Sequence, residues 1–170
     1  GNLWQTVDPP LATARRAEST VFRGRYEHAV AEKGRTSVPA RFREVMSAHG
    51  DVHVVLTSGL DPCLVAYPMR EWLAFEDRLA KLPQFDPSVA MLRRIYVSGA
   101  VECEIDKHGR ILVPASLRKH AGLACETLWA GMGRYAEVWA PARFDAMREV
   151  VLDDADKRAD VARRLAELGL

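Results

Sequence analysis

Cysteine is scarce in this chain of 170 residues: Cys63, Cys103 and Cys125 stand far apart, with no Cys-x-x-Cys and no histidine pair at ligand spacing. That pattern argues against a disulfide framework and against a metal site, and the expectation is buried, reduced thiols in a cytoplasmic protein. Surplus charge is missing too. With 24 Lys+Arg against 23 Asp+Glu, the whole chain announces no polyanionic partner, so any electrostatic signal must be local. No apolar run reaches the length of a membrane span and no charged-then-apolar signal segment opens the chain, so no membrane partner is expected. Catalytic framing is also lacking. Ser37, His28, His108 and several carboxylates occur without a nucleophile elbow, a Walker loop or a metal-binding pair around them, which argues against an enzyme and against a cofactor.

What the chain does have is a hydrophobic content of 48%, enough for a core, and an internal repeat. The stretch "AEKGRTSVPARFRE", residues 31–44, returns as "DKHGRILVPASLRK", residues 106–119. Placing Gly34 and Arg35 on Gly109 and Arg110 also brings Val38, Pro39, Ala40 and Arg43 onto Val113, Pro114, Ala115 and Arg118. With three residues dropped from the later loop, Tyr67 falls on Trp139 and Trp72 on Phe144.

Each half reads as the same string of elements. In the second, "VECEI" alternates Val101, Cys103 and Ile105 with two glutamates, the period of a half-buried strand. A tight turn "DKHGR", a short strand "ILV" and a helix opened by Pro114 follow, then strands "ETLWAG" and "AEVWA" and a helix from Pro141. The first half offers "YEHAV", "AEKGR", "TSV", a helix from Pro39, strands "VHVVLT" and "CLVAY", and a helix from Pro68 with Trp72, Phe75 and Leu79 as its apolar stripe. The organisation expected is an extension over residues 1–20, read as mobile with Leu3 and Trp4 as an alternative docking arm, then a first repeat over 21–82 and a linker helix over 83–98 capped by Asp86. A second repeat over 99–152 and an amphipathic terminal helix over 153–170, carrying Val161, Leu165 and Leu168, complete it. Neither half has strands enough to enclose a core alone, so an α+β body in which the halves interlock is expected, with Trp72, Trp129 and Trp139 inside.

The local charge lies around the repeated turn. Between residues 23 and 43, six cations (Arg23, Arg25, Lys33, Arg35, Arg41 and Arg43) face only Glu27 and Glu32. A Lys-Gly-Arg turn sends cationic groups outward while glycine permits positive φ and close backbone approach, a chemistry suited to phosphate oxygens or a base edge. The bland alternative is a solvated basic corner. In the second copy Asp106 precedes Arg110 by four residues, close enough to accept turn N–H groups or pair with the arginine. The first copy has Ala31 there, so its turn is expected to lack the brace unless Glu32 substitutes, leaving Arg35 freer to adapt.

Together "FRGRYEHAVAEKGRTSVPARFRE", "GLDPCLVAYPMREW", "RRIYVSGAVECEIDKHGRILVPASLRKHAGL" and "EVWAPARFD" resemble the MraZ family of bacterial regulators of the division and cell-wall gene cluster, from residue 21 to about 148. The resemblance implies two tandem AbrB-like swapped-hairpin half-modules of the double-split β-barrel type, related by a pseudo-twofold and flanked by helices. It implies a ring homo-oligomer, an octamer or larger, bound to direct repeats in the promoter of its own operon and associated with the nucleoid. Its Asp-x-x-x-Arg motif is intact as Asp106 with Arg110 and broken as Ala31 with Arg35. The DNA-contacting positions it implies are Arg23, Lys33, Arg35, Lys107 and Arg110, with Gly34, Gly109 and Asp106 bracing the turns. Members begin "MFRG" where this sequence has "VFRG" at Val21, so translation from a valine-type start codon is a further expectation. Two alternatives stand beside this reading: a ring that serves as a protein-interaction scaffold, and an antitoxin of the same ancestry, against which the duplication and the short terminal helix argue.

Overall fold

Proline opens the helices, but after Pro39, Pro68 and Pro114 the helix begins one residue later than the sequence suggests. In the computed structural model, which describes residues 21–170, Pro39, Pro68 and Pro114 sit just before a helix with φ of −52, −60 and −57° and ψ of 139, 148 and 146°. Their ring fixes φ while ψ stays extended, and the carbonyls of Pro39 and Pro114 start the ladder by accepting the N–H of Arg43 (2.9 Å) and Arg118 (3.0 Å). Pro87 and Pro141 occupy the first turn itself. The extension expected over residues 1–20 lies outside the described residues.

The first half runs β1 (Arg25–Ala29), β2 (Arg35–Ser37), α1 (Ala40–Ala48), β3 (His53–Ser58), β4 (Leu64–Pro68) and α2 (Met69–Ala80). The second runs β5 (Val101–Glu104), β6 (Arg110–Leu112), α4 (Ala115–Ala121), β7 (Glu126–Gly131), β8 (Ala136–Trp139) and α5 (Pro141–Asp153), and α6 (Ala155–Glu167) follows. Between the halves lies α3 (Pro87–Leu92), capped by Asp86, whose carboxylate accepts the Ser88 N–H at 2.8 Å. The expected linker helix continues beyond Leu92 only as a π-helical turn, Arg93–Val97. Hydroxyls at the end of β3 take its carbonyls: Thr57 donates to Tyr96 O at 2.6 Å and Ser58 to Ile95 O at 3.2 Å.

The strands are exchanged between halves. A six-stranded antiparallel sheet has the order β1-β7-β8-β4-β3-β5, and β2 pairs with β6 in a separate two-stranded ribbon. The opening strand of each half therefore lines up on the third strand of the other: Tyr26 opposite Trp129, and Val101 opposite Leu56. Two pairs join repeat-equivalent residues, Thr36 with Ile111 in the ribbon and Val65 with Glu137 in the sheet, so a pseudo-twofold axis passes through both. This is the α+β double-split barrel arrangement.

The exchange encloses one principal core. Phe42 from α1 is its hub, met edge-on by Phe22, Tyr26 and Trp129 at centroid distances of 5.1, 5.4 and 6.2 Å. Leu56, Leu64, Ile111, Val113 and Val138 pack around it, and a smaller cluster of Leu128, Ala130, Trp139 and Phe144 lies beneath α5. Trp72, Trp129 and Trp139 are all buried. One buried polar pair interrupts this core: the Thr36 and Thr127 hydroxyls lie 3.2 Å apart, and each donates to a β1 carbonyl, Ala29 and His28 respectively. Cys63 and Cys103 are buried free thiols, raised in pKa chiefly by desolvation, Cys103 to about 11. Cys125 departs from the expectation: it precedes β7 with its side chain exposed, while its carbonyl accepts the Val30 N–H at 2.7 Å. In α6 the stripe formed by Val161 and Leu165 is exposed rather than packed on its own chain.

Candidate nucleic-acid interface

The β2–β6 ribbon carries the repeated turns at its two ends. Pairing of Arg35 with Leu112 and of Ser37 with Arg110 puts these four residues on the outer face, while Thr36 and Ile111 turn into the core. Both arginines thus share one surface across the pseudo-twofold axis. Exposed Lys33 and Lys107 stand in the adjoining turns. Arg35, Lys107 and Arg110 line one groove, and Lys33 stands in the turn at the ribbon's other end. Arg23 is exposed but precedes β1, the strand that leads to the first turn, so it stands at that strand's far end, on the order of 20 Å away at about 3.3 Å per residue.

Both turns have the same backbone. Gly34 N–H donates to Ala31 O at 2.8 Å and Gly109 N–H to Asp106 O at 2.9 Å, and the Ala31 and Asp106 N–H groups each reach the carbonyl of the turn's arginine at 2.8 Å. Each glycine is also locked to the opposite half, Val113 N–H donating to Gly34 O at 3.0 Å and Val38 N–H to Gly109 O at 2.9 Å. The glycines have φ of +90 and +74°, which side-chain-bearing residues avoid. Over each lies a guanidinium from a helix of the other half. A Cβ on Gly34 would sit 2.7 Å from the Arg118 guanidinium carbon, and one on Gly109 2.3 Å from Arg43 Nη1. The repeat alignment matched Arg43 with Arg118 but showed no role for them. They are crossed buttresses, and only the swapped topology reveals that.

The side chains distinguish the turns. Asp106 Oδ1 accepts the N–H groups of His108 (2.8 Å) and Arg110 (3.0 Å), and these bonds, that from Arg110 foremost, hold its carboxyl below the usual carboxylate range. Its other oxygen, Oδ2, lies 3.4 Å from Arg110 Nε, an ion pair not aligned as a hydrogen bond. That same oxygen accepts Arg35 Nη1 at 3.3 Å. Arg35 is therefore not the free side chain that Ala31 suggested. Glu32 forms no ion pair among the described residues; the carboxylate that takes Arg35 belongs to the other half.

Glu102, Glu104 and Asp106 border the second turn along a groove that Arg35, Lys107 and Arg110 also line. The positions matching Glu104 and Asp106 in the first half are Ala29 and Ala31, whereas Glu32 stands where the second turn has Lys107. No group of His, Cys, Asp and Glu residues suited to a metal ion occurs among the described residues, and no helix there is long and apolar enough to cross a membrane.

Swapped hairpins, a pseudo-twofold ribbon and paired Gly-Arg turns define an AbrB-like protein. Within that class the chain belongs to the MraZ family: the family model described as "MraZ protein, putative antitoxin-like" matches it twice, over residues 21–95 and 96–167. Among curated relatives, the "Transcriptional regulator MraZ" of Alkaliphilus oremlandii is 40% identical over 150 residues, covering 88% of this chain and 100% of the relative. Those of Thermomicrobium roseum and Alkaliphilus metalliredigens are 39% and 41% identical, covering 87% and 88% of this chain and 99% and 100% of theirs. The family is one of transcriptional regulators, not enzymes.

Proposed function

We propose that this protein is a sequence-specific DNA-binding transcriptional repressor acting in the cytoplasm, on the nucleoid, at direct repeats in the promoter of its own operon in the division and cell-wall gene cluster. The observation that carries the reading is the outer face of the β2–β6 ribbon, where Arg35 and Arg110 from two quasi-equivalent halves converge between Lys33 and Lys107. A two-stranded ribbon is narrow enough to enter a major groove, where arginine pairs with guanine edges or phosphates and lysine with phosphates. Arg23 then makes only a peripheral phosphate contact, beyond β1.

One protomer offers few contacts, so affinity comes from many. A ring of eight or more copies presents the ribbon repeatedly, and several operator boxes are engaged together at high effective concentration. Exposed Val150, Leu152, Val161 and Leu165 near the C-terminus support self-association, since contact between copies would cover them. Occupying the promoter blocks transcription.

The test is fluorescence anisotropy with the gene's upstream fragment against scrambled DNA at two salt concentrations. Preference for the upstream fragment, a steep loss with salt and collapse in Arg35→Ala/Arg110→Ala are expected. Equal, weak binding to both DNAs would discard the repressor and favour a protein-interaction scaffold.

A further inference from the structure

We infer that Asp106 is the positioning residue for the arginines of both turns, so that Arg35 of the first half is held in trans by the second half's carboxylate. The inference rests on the DNA-binding reading for its consequence, and on geometry for its substance. Oδ1 is committed to the His108 and Arg110 N–H groups, which fixes the plane of the carboxylate. Oδ2 is left facing outward, and Arg35 and Arg110 both close on it, at 3.3 and 3.4 Å. The ribbon register makes this reachable, because residues 35 and 110 lie diagonally on one face of paired strands. Ala31, at the position equivalent to Asp106, offers Arg35 nothing, and Glu32 is exposed without an ion pair among the described residues.

The tie matters for placement rather than for fold stability. Its members are 47% (Arg35), 39% (Arg110) and 26% (Asp106) exposed, and ion pairs so open to water contribute little to folding. Holding a long side chain near its bound rotamer, by contrast, reduces the entropy lost on association. A single carboxylate thus prearranges two guanidiniums, and the two halves of the grip respond together to its loss.

The experiment uses the full chain as wild type, Asp106→Asn, Ala31→Asp and the Ala31→Asp/Asp106→Asn double variant. Arginine modification by phenylglyoxal, read site by site by mass spectrometry without DNA, reports whether Arg35 is tied. Modification at Arg35 should accelerate severalfold in Asp106→Asn and return to the wild-type rate in the double variant, where residue 31 supplies the carboxylate locally. Arg23 should react equally in all four. In parallel, Arg35→Ala should weaken binding of the upstream fragment about tenfold in wild type but only about twofold beside Asp106→Asn, a coupling between contacting groups. That coupling should vanish when Ala31→Asp is present, which a merely structural role for Asp106 would not produce. Equal Arg35 modification in wild type and Asp106→Asn, or additive losses in DNA binding, overturns the inference. Wild type that shows no preference for upstream DNA sinks the repressor reading instead, and the modification rates still decide the tie.

Discussion

The two turns, Ala31–Arg35 and Asp106–Arg110, share the same backbone hydrogen bonds, the same positive-φ glycine and the same guanidinium lid from the opposite half. Only the second opens on an aspartate, where the first has Ala31. The comparison separates two jobs that a family motif runs together: the turn is shaped by glycine and by contacts across the axis, whereas the aspartate arranges the arginines. Loss of one aspartate therefore leaves the turn intact and sends its arginine to the surviving carboxylate.

That separation can be broken or sharpened at several places. The largest effect is expected at Trp129, which is fully buried where its equivalent in the first half is Leu56. Trp129→Ala should cost about 3–5 kcal/mol in denaturant unfolding, the range for losing a buried large aromatic. A loss below 1 kcal/mol would mean the swapped core is not what holds the halves together.

Next come the glycines. Gly34→Ala and Gly109→Ala should each cost about 1–3 kcal/mol, through positive φ and displacement of the overlying arginine. Equal penalties would support the quasi-equivalence of the turns. A penalty confined to Gly109 would make Asp106 part of the turn's stability after all.

A smaller effect is expected from making the cores match. The Thr36 and Thr127 hydroxyls lie side by side in the core beneath β1, and their repeat counterparts are Ile111 and Val54. Thr36→Val alone should cost about 1 kcal/mol, whereas Thr36→Val with Thr127→Val should cost less than the sum, because both partners of a buried pair leave together. Chemical denaturation of the three variants measures this.

The smallest effect is a pH response confined to one turn. Because the Asp106 carboxyl is held below its usual range, its bracing is complete above the ordinary carboxylate pKa and is lost as pH falls through the depressed value. Amide exchange of His108 and Arg110 should therefore quicken relative to that of Gly34 as pH drops below about 4. Parallel behaviour of both turns would remove the distinction between them.

Much of this was readable from residues. Alternation in "VECEI", prolines at helix starts and the offset between Gly34 and Gly109 gave the elements and their duplication, because each is a local signal. The partners of the strands were not readable, since a period of two tells which face a residue occupies and not which strand lies beside it. For the same reason the buttresses Arg43 and Arg118 were visible as a matched pair without a role. The Arg35–Asp106 contact joins residues 71 apart, and no spacing rule connects them. The carbonyls of the π-helical turn meet hydroxyls from β3, again a tertiary contact that no local pattern carries.

The exchange of strands also sets a timetable for making the protein. Arg25 of β1 pairs with Ala130 of β7, so the ribosome releases β1 about 100 residues ahead of its partner. At ~5–20 residues per second, that strand waits roughly 5–20 s with its hydrogen-bonding edge open. The first half is thus a client in search of a strand throughout synthesis, and the surest partner within reach is the one still being made on the same chain.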